Sequence, residues 1–215
     1  MILGNVLIMG DSYSTFEGYN PEGYRLYYAP VPRPDTNTDV VKVEHTWWHQ
    51  LLAKTNANLI LNNSWSGSTI GYTGYNGDDN SQTCSFIYRL RQLIAEGFFE
   101  KNNIDTVLVF GGTNDNWCGA PLGEKKLSDW QEQELYCVLP AIYCYMDLLR
   151  RTLPDAKIYS IINTEFKDEI TFALQDASRL NHIQSILLQD IHKVNGHPDI
   201  LGMEQICTQV LSAME

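Results

Sequence analysis

Residues 106–115 read Thr-Val-Leu-Val-Phe-Gly-Gly-Thr-Asn-Asp, and this stretch carries the main evidence for the fold class. Its first half is a continuous run of β-branched and apolar residues that ends at a glycine pair. Such a run predicts a strand, Thr106–Phe110, that is buried on both faces, as in parallel sheets. The second half is polar. Because open parallel sheets bind ligands at the carboxyl ends of their strands, the polar half marks an expected functional edge.

The rest of the chain alternates short apolar runs with longer helical patterns, which is typical of a parallel sheet with helices on its faces. Further strands are predicted at Asn5–Met9, Asn58–Leu61 and Lys157–Ile162, and a fifth at Ile186–Leu188, a segment that also fits a helix. The predicted helices are His45–Lys54, Ser85–Glu96, Gln131–Thr152, Asp168–Asn181 and Gly202–Ala213. The 215 residues contain no repeat and no linker, so we expect one domain over residues 1–215.

The composition is that of an acidic, folded protein, with 44% hydrophobic residues and a formal net charge of -11. Negative charge disfavours nucleic acids and anionic membrane surfaces as partners. No stretch reaches the roughly 20 apolar residues of a membrane span. The first ten residues predict a strand rather than a signal peptide, so a complete chain is expected in the cytoplasm, and a chain that has lost a leader outside it. The oligomeric state stays open.

Metals and cofactors have little support in the sequence. The five cysteines are odd in number and lack a C-x-x-C spacing, which predicts reduced thiols packed as small apolar side chains. His45 and His49 have the spacing of two zinc ligands on a helix, but the glutamate of a His-Glu-x-x-His motif is missing. No Gly-x-Gly-x-x-Gly or Walker loop is present. We therefore expect neither a metal nor a cofactor.

Four polar blocks follow the predicted strands or precede the last helix. They are Gly-Asp-Ser-Tyr at 10–13, Asn-Asn-Ser-Trp-Ser-Gly at 62–67, Gly-Gly-Thr-Asn-Asp at 111–115 and Asn-Gly-His-Pro at 195–198. Each block alone is a common turn sequence. Together they offer a serine hydroxyl, a histidine that can take its proton, and amide donors for a developing oxyanion. That is the set of groups that acyl transfer needs.

In order, spacing and placement, these blocks resemble those of the SGNH/GDSL hydrolase family. Gly10-Asp11-Ser12-Tyr13 is similar to the family's Gly-Asp-Ser-Leu block, with Tyr13 in place of leucine. The other blocks match at Asn62 with Gly67, at 112–115, and at His197-Pro198 with Gly202-Met203. The resemblance runs from Asn5 to about Ile206. No Gly-x-Ser-x-Gly elbow is present, which excludes the α/β-hydrolase arrangement.

The resemblance implies a fold and a set of roles. The fold is a three-layer α/β/α sandwich around a flavodoxin-like parallel sheet of about five strands. Ser12 would be the nucleophile and His197 the general base. The backbone N–H groups of Ser12 and Gly67 and the side chain of Asn114 would form the oxyanion hole.

One position departs from the family pattern. The family usually places an aspartate three residues before its histidine, and Val194 stands there. Valine can neither orient an imidazole nor stabilise an imidazolium. Asp190, Asn195, Asp199 or a backbone carbonyl could substitute, and we favour Asp190 or a carbonyl over Asp199.

The loops near the blocks are rich in aromatic residues, and these favour a sugar ester as substrate. Aromatic rings with polar tips suit an amphipathic ligand, and no aliphatic insertion accompanies the blocks. We therefore expect hydrolysis of small acyl esters, chiefly acetyl, on a carbohydrate. Packing of the loops is the alternative role for the aromatic residues. Alternative functions are lysophospholipid or thioester hydrolysis, or an inactive carbohydrate-binding relative. The aromatic residues are Tyr13, Tyr19, Tyr24, Tyr27, Tyr28, Trp65, Tyr72, Tyr75 and Trp117.

Overall fold

Five parallel strands form one sheet in the computed structural model, which describes residues 2–34 and 36–214. The strands are β1 (Asn5–Gly10), β2 (Asn58–Ser64), β3 (Thr106–Phe110), β4 (Lys157–Ile162) and β5 (Gln184–Leu187). Their order is β2-β1-β3-β4-β5, which is the flavodoxin-like order. The predicted fold class is confirmed, and the fifth segment, which fitted strand or helix, is a strand.

Helices cover both faces of the sheet and complete the three layers. Helices α1 (Trp47–Thr55) and α7 (Ile200–Met214) pack together on one face. The other face carries α2 (Phe86–Ala95), α5 (Val138–Thr152) and α6 (Asp168–Leu180), with two short helices, α3 (Phe98–Lys101) and α4 (Thr113–Trp117), between them in the chain. In the described part of the chain, no helix is long and apolar enough to cross a membrane.

The alternation of side chains along β1 divides the core into two layers. Val6 and Ile8 point into the layer of α1 and α7, whereas Leu7 and Met9 point into the layer of α2, α5 and α6. All four side chains are fully buried, and burial of one such side chain stabilises the fold by about 1.5–3 kcal/mol. A strand buried on both faces therefore reads as one continuous apolar run, as the central strands do here.

The helix predicted over Gln131–Thr152 is wrong in its first third. Residues Glu132–Tyr136 form a 3-10 turn, and Cys137 is extended, with φ −102° and ψ 143°. The amides of Val138 and Leu139 donate to carbonyls of residues 121 and 122 rather than to the preceding turn. Pro140 lacks an N–H and is tolerated only near a helix start, so α5 begins at Val138.

The helix predicted from His45 begins two residues later. Thr46 is extended and its hydroxyl accepts from the His49 amide as the N-cap, so α1 starts at Trp47. His45 ends a separate 3-10 turn. The two histidines therefore do not share one helix face, and the zinc-like i, i+4 geometry is absent.

A buried arginine on α2 joins the loops that follow the first two strands. Arg89 has no exposed surface. Its Nε donates to the Cys84 carbonyl (2.9 Å), and Nη1 donates to the carbonyl and the Oδ1 of Asn63. Nη2 donates to the Gly10 carbonyl and to Ser68 Oγ, both at 3.1 Å. The five N–H groups of the guanidinium thus meet five neutral oxygens at the functional edge of the sheet.

We predict that Arg89→Lys lowers the free energy of unfolding by roughly 2–4 kcal/mol. An ammonium has three donors, so at least two buried acceptors lose a partner, at about 1–3 kcal/mol each. The matched control is Arg91→Lys, because Arg91 lies on the same helix but pairs with Glu132 in contact with solvent. We expect a change there of about 1 kcal/mol or less. Denaturant unfolding followed by circular dichroism measures both, and equal losses would contradict this account of Arg89.

Candidate active site

Ser12 and His197 meet at the carboxyl end of β1, although 185 positions separate them in the chain. Ser12 opens a 3-10 turn directly after β1, and the Asp11 side chain caps that turn by accepting from the Tyr13 amide at 3.0 Å. Ser12 is only 3% exposed. Its Oγ lies 2.9 Å from Nε2 of His197, a hydrogen-bond distance. The sequence prediction that these two residues come together is consistent with this geometry.

A small hairpin carries His197 to the serine. Strands β6 (Lys193–Val194) and β7 (His197–Pro198) pair in antiparallel fashion across a two-residue turn. Both turn residues, Asn195 and Gly196, have positive φ, of 50° and 76°. Positive φ at both positions is what a tight type I′ hairpin turn requires, and Asn-Gly is its preferred sequence.

Two tyrosines from the segment between β1 and α1 hold this hairpin in place through hydrogen bonds. The Tyr13 hydroxyl donates to the Gly196 carbonyl at 2.5 Å, and the Tyr28 hydroxyl donates to the Pro198 carbonyl at 2.7 Å. Both tyrosines are completely buried. The carbonyls they hold belong to the residues on either side of His197, so the imidazole is positioned through its own backbone. Tyr13 stands where the family pattern has leucine, and its hydroxyl supplies one of these anchors.

The ring contacts of His197 determine which nitrogen carries its proton. Nδ1 faces the carbonyl of Asn195 at 3.3 Å. A carbonyl only accepts, so Nδ1 is the protonated nitrogen and Nε2 is free to accept the Ser12 hydroxyl. The Tyr27 ring is stacked on the imidazole, with centroids 3.6 Å apart and planes within 4°. Burial lowers the pKa of His197 from 6.5 to about 4, so the imidazole is neutral at neutral pH.

The structure does not bring Asp190 to His197. The Asp190 side chain is exposed and lines a separate surface cavity beyond β5. Asp199 bonds the His192 ring (2.7 Å) and the Gly202 amide (2.9 Å) instead. Of the candidates raised by Val194, the carbonyl of Asn195 is the group that contacts Nδ1.

The candidate oxyanion donors surround Ser12. Gly67 has φ 84°, a left-handed conformation that favours glycine, in the turn after β2. Asn114 is 3% exposed; its Nδ2 donates to the Ser68 carbonyl at 2.9 Å and its Oδ1 accepts from the Tyr75 hydroxyl at 2.8 Å. These two bonds fix the amide plane and leave one N–H of Nδ2 for another acceptor. Ser12, Gly67, Asn114 and His197 all line one cavity.

A buried carboxylate ties the second and third blocks together. Both oxygens of Asp115 accept from the Ile70 amide (2.9 and 3.0 Å), and one also accepts from the Gly71 amide (3.2 Å). Burial raises the pKa of Asp115 to about 6. Because Asp115 follows Asn114 directly, these bonds hold the Gly67 loop against the Asn114 side chain.

The cavity has a volume of about 520 Å³. Some of the nine aromatic residues near the polar blocks line it, and others do not. Tyr27, Trp65, Tyr75 and Trp117 line it. Tyr13, Tyr28 and Tyr72 are buried supports, and Tyr19 packs on Trp48 away from it. Both roles that the sequence left open, contact with a ligand and packing of the loops, are therefore represented among these residues.

Two charged residues of this region were not predicted from the sequence. Arg89 sits on the apolar face of α2, between Phe86 and Leu93, and that position was the available signal. Arg25 lines the cavity from a loop without periodicity, so nothing in the sequence distinguished it. Among the residues that the structure describes, no group of three or more His, Cys, Asp or Glu side chains is arranged to hold a metal.

Two solved structures are similar to this chain over nearly their whole length. A Bacteroides ovatus ATCC 8483 protein described as a GDSL-like lipase is 40% identical, with a TM-score of 0.91 over 100% of this chain and 99% of that one. A Bacteroides uniformis ATCC 8492 protein with the same description is 40% identical, with a TM-score of 0.89 over 98% and 94%. A search among curated proteins gives no match.

A more distant structure shares the fold alone. It is a family two carbohydrate esterase from Clostridium thermocellum in complex with cellohexaose, 14% identical, with a TM-score of 0.63 over 99% of this chain and 64% of that one. The family model for GDSL-like lipases and acylhydrolases matches residues 4–214. That match spans every strand and every block described above, and the chain therefore belongs to the GDSL-like lipase/acylhydrolase family.

Proposed function

We propose that this protein is a serine esterase that removes small acyl groups, chiefly acetyl, from a carbohydrate through an acyl-enzyme. The observation that carries the proposal is the 2.9 Å contact between Ser12 Oγ and the unprotonated Nε2 of His197. Family membership supports the broader activity, ester hydrolysis.

In the first half of the reaction, Ser12 Oγ attacks the ester carbonyl carbon while Nε2 of His197 takes the hydroxyl proton. The carbonyl oxygen becomes an oxyanion, which the Ser12 and Gly67 amides and the free N–H of Asn114 receive. Collapse of this intermediate breaks the bond to the sugar oxygen, and His197 returns its proton to that oxygen. The deacylated sugar leaves, and Ser12 keeps the acyl group as an ester.

In the second half, His197 takes a proton from water, whose oxygen attacks the acyl carbon. Collapse of this intermediate breaks the bond between the acyl carbon and Ser12 Oγ, His197 returns its proton to Oγ, and the acid leaves. In both halves the imidazolium forms next to a neutral carbonyl, Asn195, rather than next to a carboxylate. A carbonyl orients the ring but adds no negative charge to offset the positive one. We therefore propose that Asn195 replaces the usual aspartate in orientation only.

Ser12→Ala tests the nucleophile. Removing the hydroxyl is expected to lower kcat for p-nitrophenyl acetate on the order of 10⁶-fold, as removal of a serine nucleophile does elsewhere. A fluorophosphonate probe should label the wild type and not the variant. Ser66→Ala, a serine in the wall of the same cavity, serves as the control and should keep both labelling and turnover. Labelling of Ser12→Ala at the wild-type rate would exclude Ser12, and a wild type without turnover would favour an inactive binding protein.

The pH dependence tests the base. Because the pKa of His197 is lowered to about 4, the neutral, active form persists until the pH falls to that value. We expect kcat/KM for p-nitrophenyl acetate, followed as acetate release by NMR, to be flat from about pH 5 to neutrality and to fall with a midpoint near 4. Tyr27→Ala uncovers the stacked face of the ring and should shift the midpoint upward, towards 6.5. A wild-type midpoint near 6.5 would refute the assignment.

The cavity wall supports a short acyl group and a polar alcohol. Its sixteen lining residues include no leucine, isoleucine, valine, methionine or phenylalanine in the part of the chain that the structure describes. Tyr27, Trp65, Tyr75 and Trp117 offer flat rings for a sugar, and Asn76, Asp78 and Asn80 offer hydrogen-bonding groups. A long acyl chain would find no aliphatic groove, which argues against a lipid ester.

An acyl-length series tests this preference. Each methylene gains about 0.8 kcal/mol only where it is buried against an apolar wall. Since that wall is missing, the additional methylenes of the octanoate gain no such stabilisation, and kcat/KM should not increase from p-nitrophenyl acetate to p-nitrophenyl octanoate. Acetylated oligosaccharides should be deacetylated, with acetate release as the readout. A kcat/KM that rises with chain length would instead indicate a lipid or thioester acyl hydrolase.

A further inference from the structure

Arg25 places a positive charge at the rim of the candidate oxyanion site. Its Nη1 would lie 3.9 Å from a methyl group built on Gly67. The backbone beneath it is fixed, because its carbonyl accepts from the Ser66 amide at 2.8 Å and the preceding ring, Tyr24, packs on Trp65 with centroids 4.3 Å apart. The guanidinium therefore stands beside the loop that carries Gly67.

Within residues 2–34 and 36–214, the guanidinium of Arg25 makes no hydrogen bond and no ion pair. The other six of the seven arginines have partners. Arg91, Arg151 and Arg179 pair with carboxylates, and Arg33, Arg89 and Arg150 donate to backbone carbonyls. Arg25 is therefore the one arginine without a partner in the described part of the chain, and its guanidinium is free to bind a ligand.

The charge on the Gly67 side of the cavity favours an anion. Arg25 supplies it, and the nearby imidazole of His197 is neutral at neutral pH. Among the described residues the guanidinium of Arg25 has no acidic partner that would offset its charge. Such a local field raises the concentration of an anionic substrate at the site.

The shape of the guanidinium indicates which class of anion Arg25 is suited to bind. Its planar fork matches the two oxygens of a carboxylate, which it can bind through two parallel N–H···O bonds. Because Arg25 stands beside Gly67, the carboxylate has to lie within about one sugar residue of the ester carbon. We propose that the substrate is an acetyl ester of an acidic sugar, a uronate, whose carboxylate binds Arg25. This inference rests on the proposed esterase function and adds the charge of the sugar.

A matched pair of substrates tests the proposal. An O-acetylated methyl glucuronoside and the corresponding O-acetylated methyl glucoside differ only in the carboxylate, and p-nitrophenyl acetate reports the basal activity. We expect the wild type to prefer the uronate in kcat/KM by about tenfold, as for one charge-assisted bond at an exposed site. Added salt should reduce that preference because the cation is exposed.

Arg25→Gln should abolish the preference while keeping turnover of the glucoside and of p-nitrophenyl acetate within about twofold. Arg25→Lys keeps the positive charge but lacks the planar pair of guanidinium donors, so this variant should retain part of the preference for the uronate. Arg151→Gln is the control for net charge; that exposed arginine pairs with Asp147 on α5, and its removal should leave the preference intact.

Two results would overturn the proposal. One is an equal kcat/KM of the wild type for the two sugars. The other is an Arg25→Gln variant that loses activity equally towards all three substrates, which would make Arg25 part of the oxyanion machinery instead. Failure of the wild type to turn over p-nitrophenyl acetate would refute the esterase function itself, so the two failures are distinguishable.

Discussion

The guanidinium of Arg89 is buried beneath the carboxyl ends of β1 and β2, and each of its N–H groups donates to a neutral oxygen of a strand end or of a neighbouring loop. Desolvation of a cation costs several kcal/mol, and only a complete set of hydrogen bonds offsets it. The oxygens come from Gly10, Asn63, Ser68 and Cys84, so the loops on which Ser12 and Gly67 stand cannot move independently. Amide groups that are fixed before substrate arrives stabilise an oxyanion without reorganisation.

His197 is held in place by a different set of contacts. Its hairpin is anchored by two tyrosine hydroxyls, its ring is stacked on Tyr27, and its Nδ1 meets the Asn195 carbonyl. These contacts orient the imidazole as a carboxylate would, but burial without a nearby negative charge disfavours the imidazolium. The proposed base is consequently neutral over a wide pH range, and it is a weak base. In the proposed mechanism, proton transfer to His197 then relies on alignment with Ser12 more than on basicity.

The sheet and the meeting of its blocks could be predicted from the sequence because both follow from local signals. Buried parallel strands leave continuous apolar runs, and adjacent strands end at one edge, so Ser12, Gly67 and Asn114 had to lie near one another. The orienting partner of His197 could not be predicted in this way. The path of the hairpin depends on Tyr13 and Tyr28, which lie 183 and 170 positions from the carbonyls they hold. Hydrophobic periodicity carries no information on contacts between residues so far apart in the chain. Asp190 is a plausible orienting partner of His197 only when the two tyrosine contacts are left out of account.

The long separation between Ser12 and His197 has a consequence for the protein during its synthesis. Ser12, the proposed nucleophile, is synthesised 185 residues before His197, its proposed base. Until the hairpin of residues 193–198 docks on Tyr13 and Tyr28, the serine has no group to take its proton. A nascent or C-terminally truncated chain can thus contain most of the sheet and still lack the histidine that would activate Ser12. By the proposed mechanism, ester hydrolysis would report that synthesis has passed residue 198 and that the hairpin has docked.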